Sequence, residues 1–595
     1  MLHLPVTEGP LTLVYPKWLP GRHGPEGPIT DLAGPAFSHD GHAIHWRRDD
    51  VDMYAFHLDV PAGADSIEAH FQILTGPRPD GTVNGLEAPR TATESLLVLE
   101  WHQVVLYPAD ADAGALSCQA SVRLPPGWRY ASALTSTGNG ADSVTFEPAS
   151  LATLVDSTLI AGRYFRSFDL GGQPAVRLQV AADGPAALQV APAVIDRYRQ
   201  LVVEARALFG ATHYRHYDFL YVLTDQIMPD GLEHHESSDN RSPYRTFLDD
   251  DLRRAEANLL AHEYTHSWNG KYRRPAGLAT RNYQEPMKGE MLWVYEGLTE
   301  YLGDVLAARS GLLTGGEFRS ELAHMLAGQQ SHAGRASRNL QDTTVAAQLL
   351  YVQPRDWAAR LRRQEDFYQE SALLWLEADT LIRRLSSGRR SLDDFCRLFF
   401  GPPSTPPQVR PYDFDALLEA LNTVQPHDWR MFWRQRLDRH EGDALDRGIL
   451  QGGWRLVFDT GPSVMHRAHE ADDRDLDARF SLGFYVGEDA TLSDIIPGSP
   501  ADAAGLAPGD RLLAVNDRKW SKDELRDALN LSALGSRSTD LLILRGDAVR
   551  RFELLYSGGA REPELVRVEG SPDLLEQIAA PHGCKPGNAS CSVAH

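Results

Sequence analysis

The stretch Ala257-Asn-Leu-Leu-Ala-His262-Glu263-Tyr-Thr-His266-Ser-Trp-Asn-Gly270 decides how this chain is read. Leucine and alanine ahead of the first histidine favour helix, and residues four apart on a helix share one face. His262 and His266 are therefore spaced to reach one ion, with Glu263 beside it to orient a water and take its proton. The pattern predicts zinc: three protein ligands, an open position, and a water whose pKa falls toward about 7. Two ordinary histidines on an amphipathic helix are the plain alternative, and the apolar setting weighs against it. The third ligand is predicted in Leu292-Trp-Val-Tyr-Glu-Gly-Leu-Thr-Glu-Tyr301. Glu296 stands there among apolar residues, where an unpaired carboxylate is costly and a buried cation is a natural partner. Glu300, one turn on, can accept the second N–H of a ligand histidine and fix its ring.

Outward from this stretch, bulk properties bound the rest. A chain of 595 residues is too long for one hydrophobic core, so three or four domains are expected. At 42% hydrophobic and 24% charged residues it has an ordinary globular composition. A net charge of −22 argues against nucleic acid, whose phosphates it would repel. No apolar run is long enough to span a membrane. The opening MLHLPVTEGP lacks the basic region and apolar stretch of a signal peptide, so the chain as written reads as cytoplasmic. Cys118 and Cys396 read as isolated buried thiols, whereas Cys584 and Cys591 are near enough in sequence to pair in an exported protein.

The predicted organisation is multidomain α+β. Residues 1–165 alternate apolar and polar positions, as in Tyr54–Val60, Leu96–Trp101 and Val104–Tyr107, which predicts a β-sandwich-like domain. Residues 166–456 carry a helix over Ile195–Leu208 and a strand over Phe219–Leu223. Further helices follow over Asp251–Asn269, Glu290–Ala308, Ser371–Leu385 and Leu392–Phe400. Strands followed by helices predict an α+β catalytic domain and not a parallel βαβ array. Residues 457–475 read as a linker, 477–558 as a compact β-rich unit with a helix at Lys522–Leu529, and 559–595 as a poorly ordered tail.

HSWNGKYRRPAGL (266–278), LWVYEGLTEYLG (292–303) and SLDDF (391–395) resemble the glycyl aminopeptidase family, family sixty-one of the metallopeptidases. The resemblance implies a β-rich N-terminal domain, a thermolysin-like (gluzincin) catalytic domain and a C-terminal PDZ domain. It implies zinc on His262, His266 and Glu296, with Glu263 as general base. Gly231-Leu-Glu-His-His-Glu236 stands where related aminopeptidases carry Gly-x-x-Glu. Glu233 is then the carboxylate that meets the substrate's free α-ammonium group, although it follows Gly231 by two residues where the motif has three. His234 and His235 are neighbours on a strand and point to opposite faces, which argues against a second metal site. Asp366-Phe-Tyr-Gln-Glu-Ser-Ala372 resembles Tyr-Glu-Lys-Gly-Ala, implying that the Tyr368 hydroxyl stabilises the oxyanion; Lys and Gly are replaced by Glu370 and Ser371. Phe367 has no donor for that role.

Ser481-Leu-Gly-Phe484 and Ile496–Asp510 resemble a bacterial PDZ domain, in which Leu482, Gly483 and Phe484 offer amides to a peptide's terminal carboxylate. Val14–Gly24 resembles a family stretch that normally follows earlier strands. The resemblance implies a shortened domain here, or a start inside a longer and exported product.

The expected function is a monozinc aminopeptidase for peptides with a small (glycyl or alanyl) N-terminal residue. One alternative is a zinc endopeptidase whose protein substrates the PDZ domain recruits. The other is a non-catalytic PDZ scaffold on a dead peptidase body, against which the intact His262, Glu263, His266 and Glu296 count.

Overall fold

The computed structural model describes residues 1–75, 90–140, 143–349, 363–440, 444–461, 463–535 and 538–583. Cys584 and Cys591 lie outside them.

Two four-stranded antiparallel sheets open the chain. One runs in the order Leu2–Pro5, Ser66–Ile73, Leu32–His39, His42–Ile44, the other Trp46–Arg48, Ala55–Val60, Gly9–Val14, Tyr107–Pro108. Phe37, Ile67 and Ala69 of the first share a buried core with Leu13, Phe56 and Leu58 of the second, as alternating strands of a sandwich should. The expected strand at Val104–Tyr107 is not formed beyond Tyr107–Pro108. Trp101–Val104 is a 3-10 turn in which Trp101, His102 and Gln103 are all buried. A strand would have turned one of the three outward.

The catalytic body is built on a five-stranded sheet in the order Tyr164–Gly171, Val176–Ala182, Tyr217–Leu223, Ser237–Ser242, Asp230–Glu233. Its three middle strands are parallel, and the helix Pro192–Phe209 forms the crossover between the first two of them. The sheet is mixed, in keeping with an α+β domain, and holds this one βαβ crossover. Every residue of Tyr217–Leu223 is buried, the mark of a strand covered on both faces. Asp230–Glu233 pairs antiparallel at the edge and faces the helices. The helix expected over Asp251–Asn269 is two pieces, Asp250–Ala255 and Leu259–Thr265, and that over Glu290–Ala308 is Leu292–Tyr295 and Gly297–Ser310, meeting at Glu296. No helix among the described residues is long and apolar enough to cross a membrane.

The C-terminal part corrects two further expectations. The stretch read as a linker holds the strand Trp454–Asp459 and the helix Val464–Asp472, whose Met465 and Ala468 join the main core. The stretch read as a loose tail returns to the body: Glu562–Arg567 pairs antiparallel with Trp454–Asp459, and the helix Leu574–Ala579 buries Leu575 and Ile578 completely. Each half is too short to show periodicity, and its partner lies far away in sequence. Residues 476–554 form a separate core between these two strands. Leu575→Ala is therefore expected to cost about 2–5 kcal/mol. Denaturant unfolding measures it, and a loss under about 1 kcal/mol would show that this helix contributes little to the fold.

Candidate active site

His262 lies on the helix Leu259–Thr265 and His266 caps its C-terminus. Their Nε2 atoms are 3.1 Å apart, and Glu296 Oε2 lies 3.4 Å from His262 Nε2 and 3.1 Å from His266 Nε2. Ligand atoms about 2.0–2.1 Å from a tetrahedral zinc stand about 3.3–3.4 Å from one another. The far side of each ring is committed. His266 Nδ1 is 2.9 Å from the Asn269 carbonyl, which can only accept, so that nitrogen carries the proton. His262 Nδ1 is 2.9 Å from Glu300 Oε2, which fixes the same tautomer. Neutral imidazoles so oriented turn two bare Nε2 lone pairs and a carboxylate oxygen toward one point, with no donor among them. Such a set repels itself unless a cation or a proton enters. Burial lowers the His262 pKa, yet Glu296 and Glu300 outweigh it and hold it well above the usual histidine range. The three residues fit a metal ion, and they form a metal-ligating group by their spacing alone.

Local packing explains why this register holds. A Cβ at Gly297 would stand 2.1 Å from Ser371 Cβ and 2.8 Å from the Phe367 carbonyl. The glycine after Glu296 thus lets the start of the helix Gln369–Leu385 lie against the ligand. Asn269 ties the two helices together, its Nδ2 donating to the Val294 carbonyl at 2.8 Å and to Thr299 Oγ1 at 3.0 Å.

Glu263 is buried, and its Oε2 has no hydrogen-bond partner among the described residues. Burial raises its pKa well above the carboxylate range, and Glu233 and Glu296 add to that against the pull of His262. A Cβ on Gly231 would fall 2.2 Å from Glu263 Oε1, so the edge strand passes this carboxylate only because it has no side chain there.

Glu233 ends that strand, and one of its carboxylate oxygens falls in a second close group with Glu263 and His266. Its Oε1 accepts from the Tyr295 hydroxyl and lies 3.8 Å from Lys271 Nζ, which also sits 3.0 Å from Asp156 Oδ1. Burial alone would raise the Glu233 pKa, and Lys271 with His266 outweighs it and brings it to about 2. The Tyr368 ring stands over His262 at 6.0 Å between centroids. His234 Nε2 bonds Thr158 Oγ1 at 3.0 Å, and neither His234 nor His235 joins a metal-ligating group among the described residues.

Sequence reading missed His23. This buried residue of the N-terminal domain, with φ at +58°, places Nε2 2.7 Å from Glu296 Oε1 and 3.0 Å from the Tyr368 hydroxyl. Its loop is fastened by Trp18 in the main core and by Arg22, which grips Asp230 with both terminal nitrogens at 2.9 and 2.6 Å. A histidine in a Gly/Pro loop carries no periodic signal, and only the fold brings it to the centre. Lys271 and Asn269 were missed for the same reason, although both lie within the HSWNGK stretch. In the C-terminal unit, the Leu482 and Gly483 amides both donate to the Ala478 carbonyl, and Phe484 pairs with Ile495.

Segments of the chain match known protein families. Residues 255–374 match the M61 glycyl aminopeptidase family, 1–163 its N-terminal domain, and 491–545 a PDZ domain. An aminopeptidase N family protein from Idiomarina loihiensis is similar in fold at a TM-score of 0.78 and 18% identity, with 97% of each chain covered. An M1 zinc metallopeptidase from Deinococcus radiodurans overlaps at a TM-score of 0.42 and 18% identity, over 74% of this chain and 95% of its own. Two models of the M61 glycyl aminopeptidase family thus match in order around a site fit for a metal, and the chain is a metallopeptidase that carries a PDZ domain.

Proposed function

We propose that this chain is a zinc aminopeptidase that removes a small N-terminal residue, glycyl or alanyl, from peptides. His262, His266 and Glu296 would hold the ion, with Glu300 and the Asn269 carbonyl orienting the two rings. Zinc, when bound, supplies Lewis acidity, lowering the pKa of water toward about 7 and polarising the scissile carbonyl. Glu263 would take the proton from the attacking water and return it to the leaving amine, a role its buried Oε2, unpartnered among the described residues, supports. The Tyr368 hydroxyl donates to the oxygen on which negative charge develops. Glu233, whose Oε1 accepts from Tyr295 and faces Lys271, would meet the α-ammonium group.

One observation carries the exopeptidase reading: the loop of the N-terminal domain that reaches the site. His23 stands against Glu296 and Tyr368, and a Cβ at Gly21 would be 2.5 Å from Leu232 and 2.6 Å from Glu233 Oε2. An endopeptidase needs room for chain on both sides of the scissile bond, and this loop fills one side. The same crowding, together with Tyr295, supports a small first residue.

Glu233→Ala against free and N-acetylated glycyl or alanyl peptides tests the proposal. Removing one partner of a desolvated charge pair costs about 2–5 kcal/mol. That corresponds to roughly thirty- to several-thousand-fold in kcat/KM for the free peptide. Zinc content should not change, and the acetylated peptide should be poor for both proteins. Equal cleavage of free and blocked peptides by the unaltered enzyme would replace the aminopeptidase reading with the endopeptidase.

A further inference from the structure

The PDZ unit is occupied by its own chain. A PDZ domain takes a peptide as an extra antiparallel strand, its terminal carboxylate captured by the amides of the loop before the receiving strand. Here the receiving strand is Phe484–Gly487, with Leu492–Ile495 along one edge. Along the other edge runs Asp475–Asp477, antiparallel, pairing Asp475 with Gly487 and Asp477 with Tyr485. The pairing extends one residue further. The Ala478 amide donates to the Phe484 carbonyl at 3.0 Å, while the Ala478 carbonyl accepts from the Leu482 and Gly483 amides at 2.9 Å each. Ala478 therefore stands where a ligand's last residue would, its carbonyl in the place of the carboxylate.

Side chains complete the likeness. Leu476 and Ala478 are buried in the same core as Leu525 and Leu529 of the helix Lys522–Ala533. Lys522 at the start of that helix donates to the Asp475 carbonyl at 2.7 Å. Arg526 reaches Glu470 at 2.5 Å, and Glu470 also accepts from the Asp477 amide at 2.8 Å. The segment continues directly from the helix Val464–Asp472, whose Met465 and Ala468 sit in the catalytic core.

We infer that the groove of the PDZ domain is an internal docking site whose occupant is Asp475–Ala478, and that it admits a C-terminal peptide only when this segment leaves. In the closed chain the domain therefore recruits nothing through its groove; it is clasped to the catalytic body. The inference stands apart from the peptidase chemistry. A short tether gives an effective concentration on the order of millimolar, so an occupant of about 10 µM intrinsic affinity should make a free peptide bind roughly 100-fold more weakly to the closed chain than to an opened one.

The probe is a fluorescein-labelled peptide with the sequence of residues 472–478 and a free terminal carboxylate, titrated into the full chain and followed by anisotropy. Wild type is expected to bind roughly 100-fold more weakly than Leu476→Ser, which loosens the occupant, and the C-terminally amidated peptide should bind the opened variant more weakly than the free acid. Equal affinity for the two proteins overturns the inference, as does a folded Leu476→Ser variant that takes no peptide. Hydrogen exchange of fragments spanning 479–487 in the wild type gives an answer even if that variant unfolds. Protected Leu482 and Gly483 amides are expected, and exchange at the rate of free chain overturns the docking.

Discussion

Glu263→Gln is expected to keep zinc bound and lower kcat by about 10²–10⁴-fold, the range of a positioned general base. The amide has the shape of the acid and fits beside Gly231, where no side chain competes for the space. It cannot take a proton, and none of the neighbours is set to replace it. Glu233 is occupied by Tyr295 and Lys271, Glu296 by the histidines around it, and Glu300 by His262. Zinc content by metal analysis beside kcat on an unblocked glycyl or alanyl peptide separates a lost base from a lost site. A zinc-loaded variant with near wild-type turnover would mean that another group moves the proton.

Zinc affinity should fall in two steps across the Glu296 side of the site. His23→Ala removes the N–H that faces Glu296 Oε1 at 2.7 Å and leaves all three proposed ligands in place. Outer hydrogen-bond partners of this kind contribute about 10–100-fold to metal affinity. Glu296→Ala removes a ligand and leaves two neutral imidazoles without a counter-charge, so its loss should exceed that of His23→Ala. Chelator competition measures both, and circular dichroism checks that the fold persists. His23→Gln, whose amide can still donate, should recover part of the loss. If His23→Ala binds zinc as tightly as wild type, the N-terminal domain has no part in holding Glu296. If Glu296→Ala does so, the ligand assignment fails.

How far the sequence carries differs from one residue to the next. Helical periodicity placed His262 and His266 on one face and set Glu300 one turn beyond Glu296, because those relations are local and follow from 3.6 residues per turn. The apolar run at Phe219–Leu223 announced a strand but not its direction, which is set by pairing with strands distant in sequence. That every residue of Tyr217–Leu223 is buried, as in a covered parallel sheet, appears only in the fold. The tail at Glu562–Arg567 and Leu574–Ala579 was unreadable because each piece is short and closes on a distant partner.

The sequence by itself determined the pieces whose physics is local: the two histidines, the glutamate between them, and the spacing of Glu296 and Glu300. Only the tertiary structure decided that His23 of the first domain stands on Glu296 and that Lys271 balances Glu233. It alone set Asp475–Ala478 in the groove of the last domain. Each of these depends on a non-local contact, formed when buried apolar surface brings distant segments together. Periodicity along the chain has no component that records such a meeting.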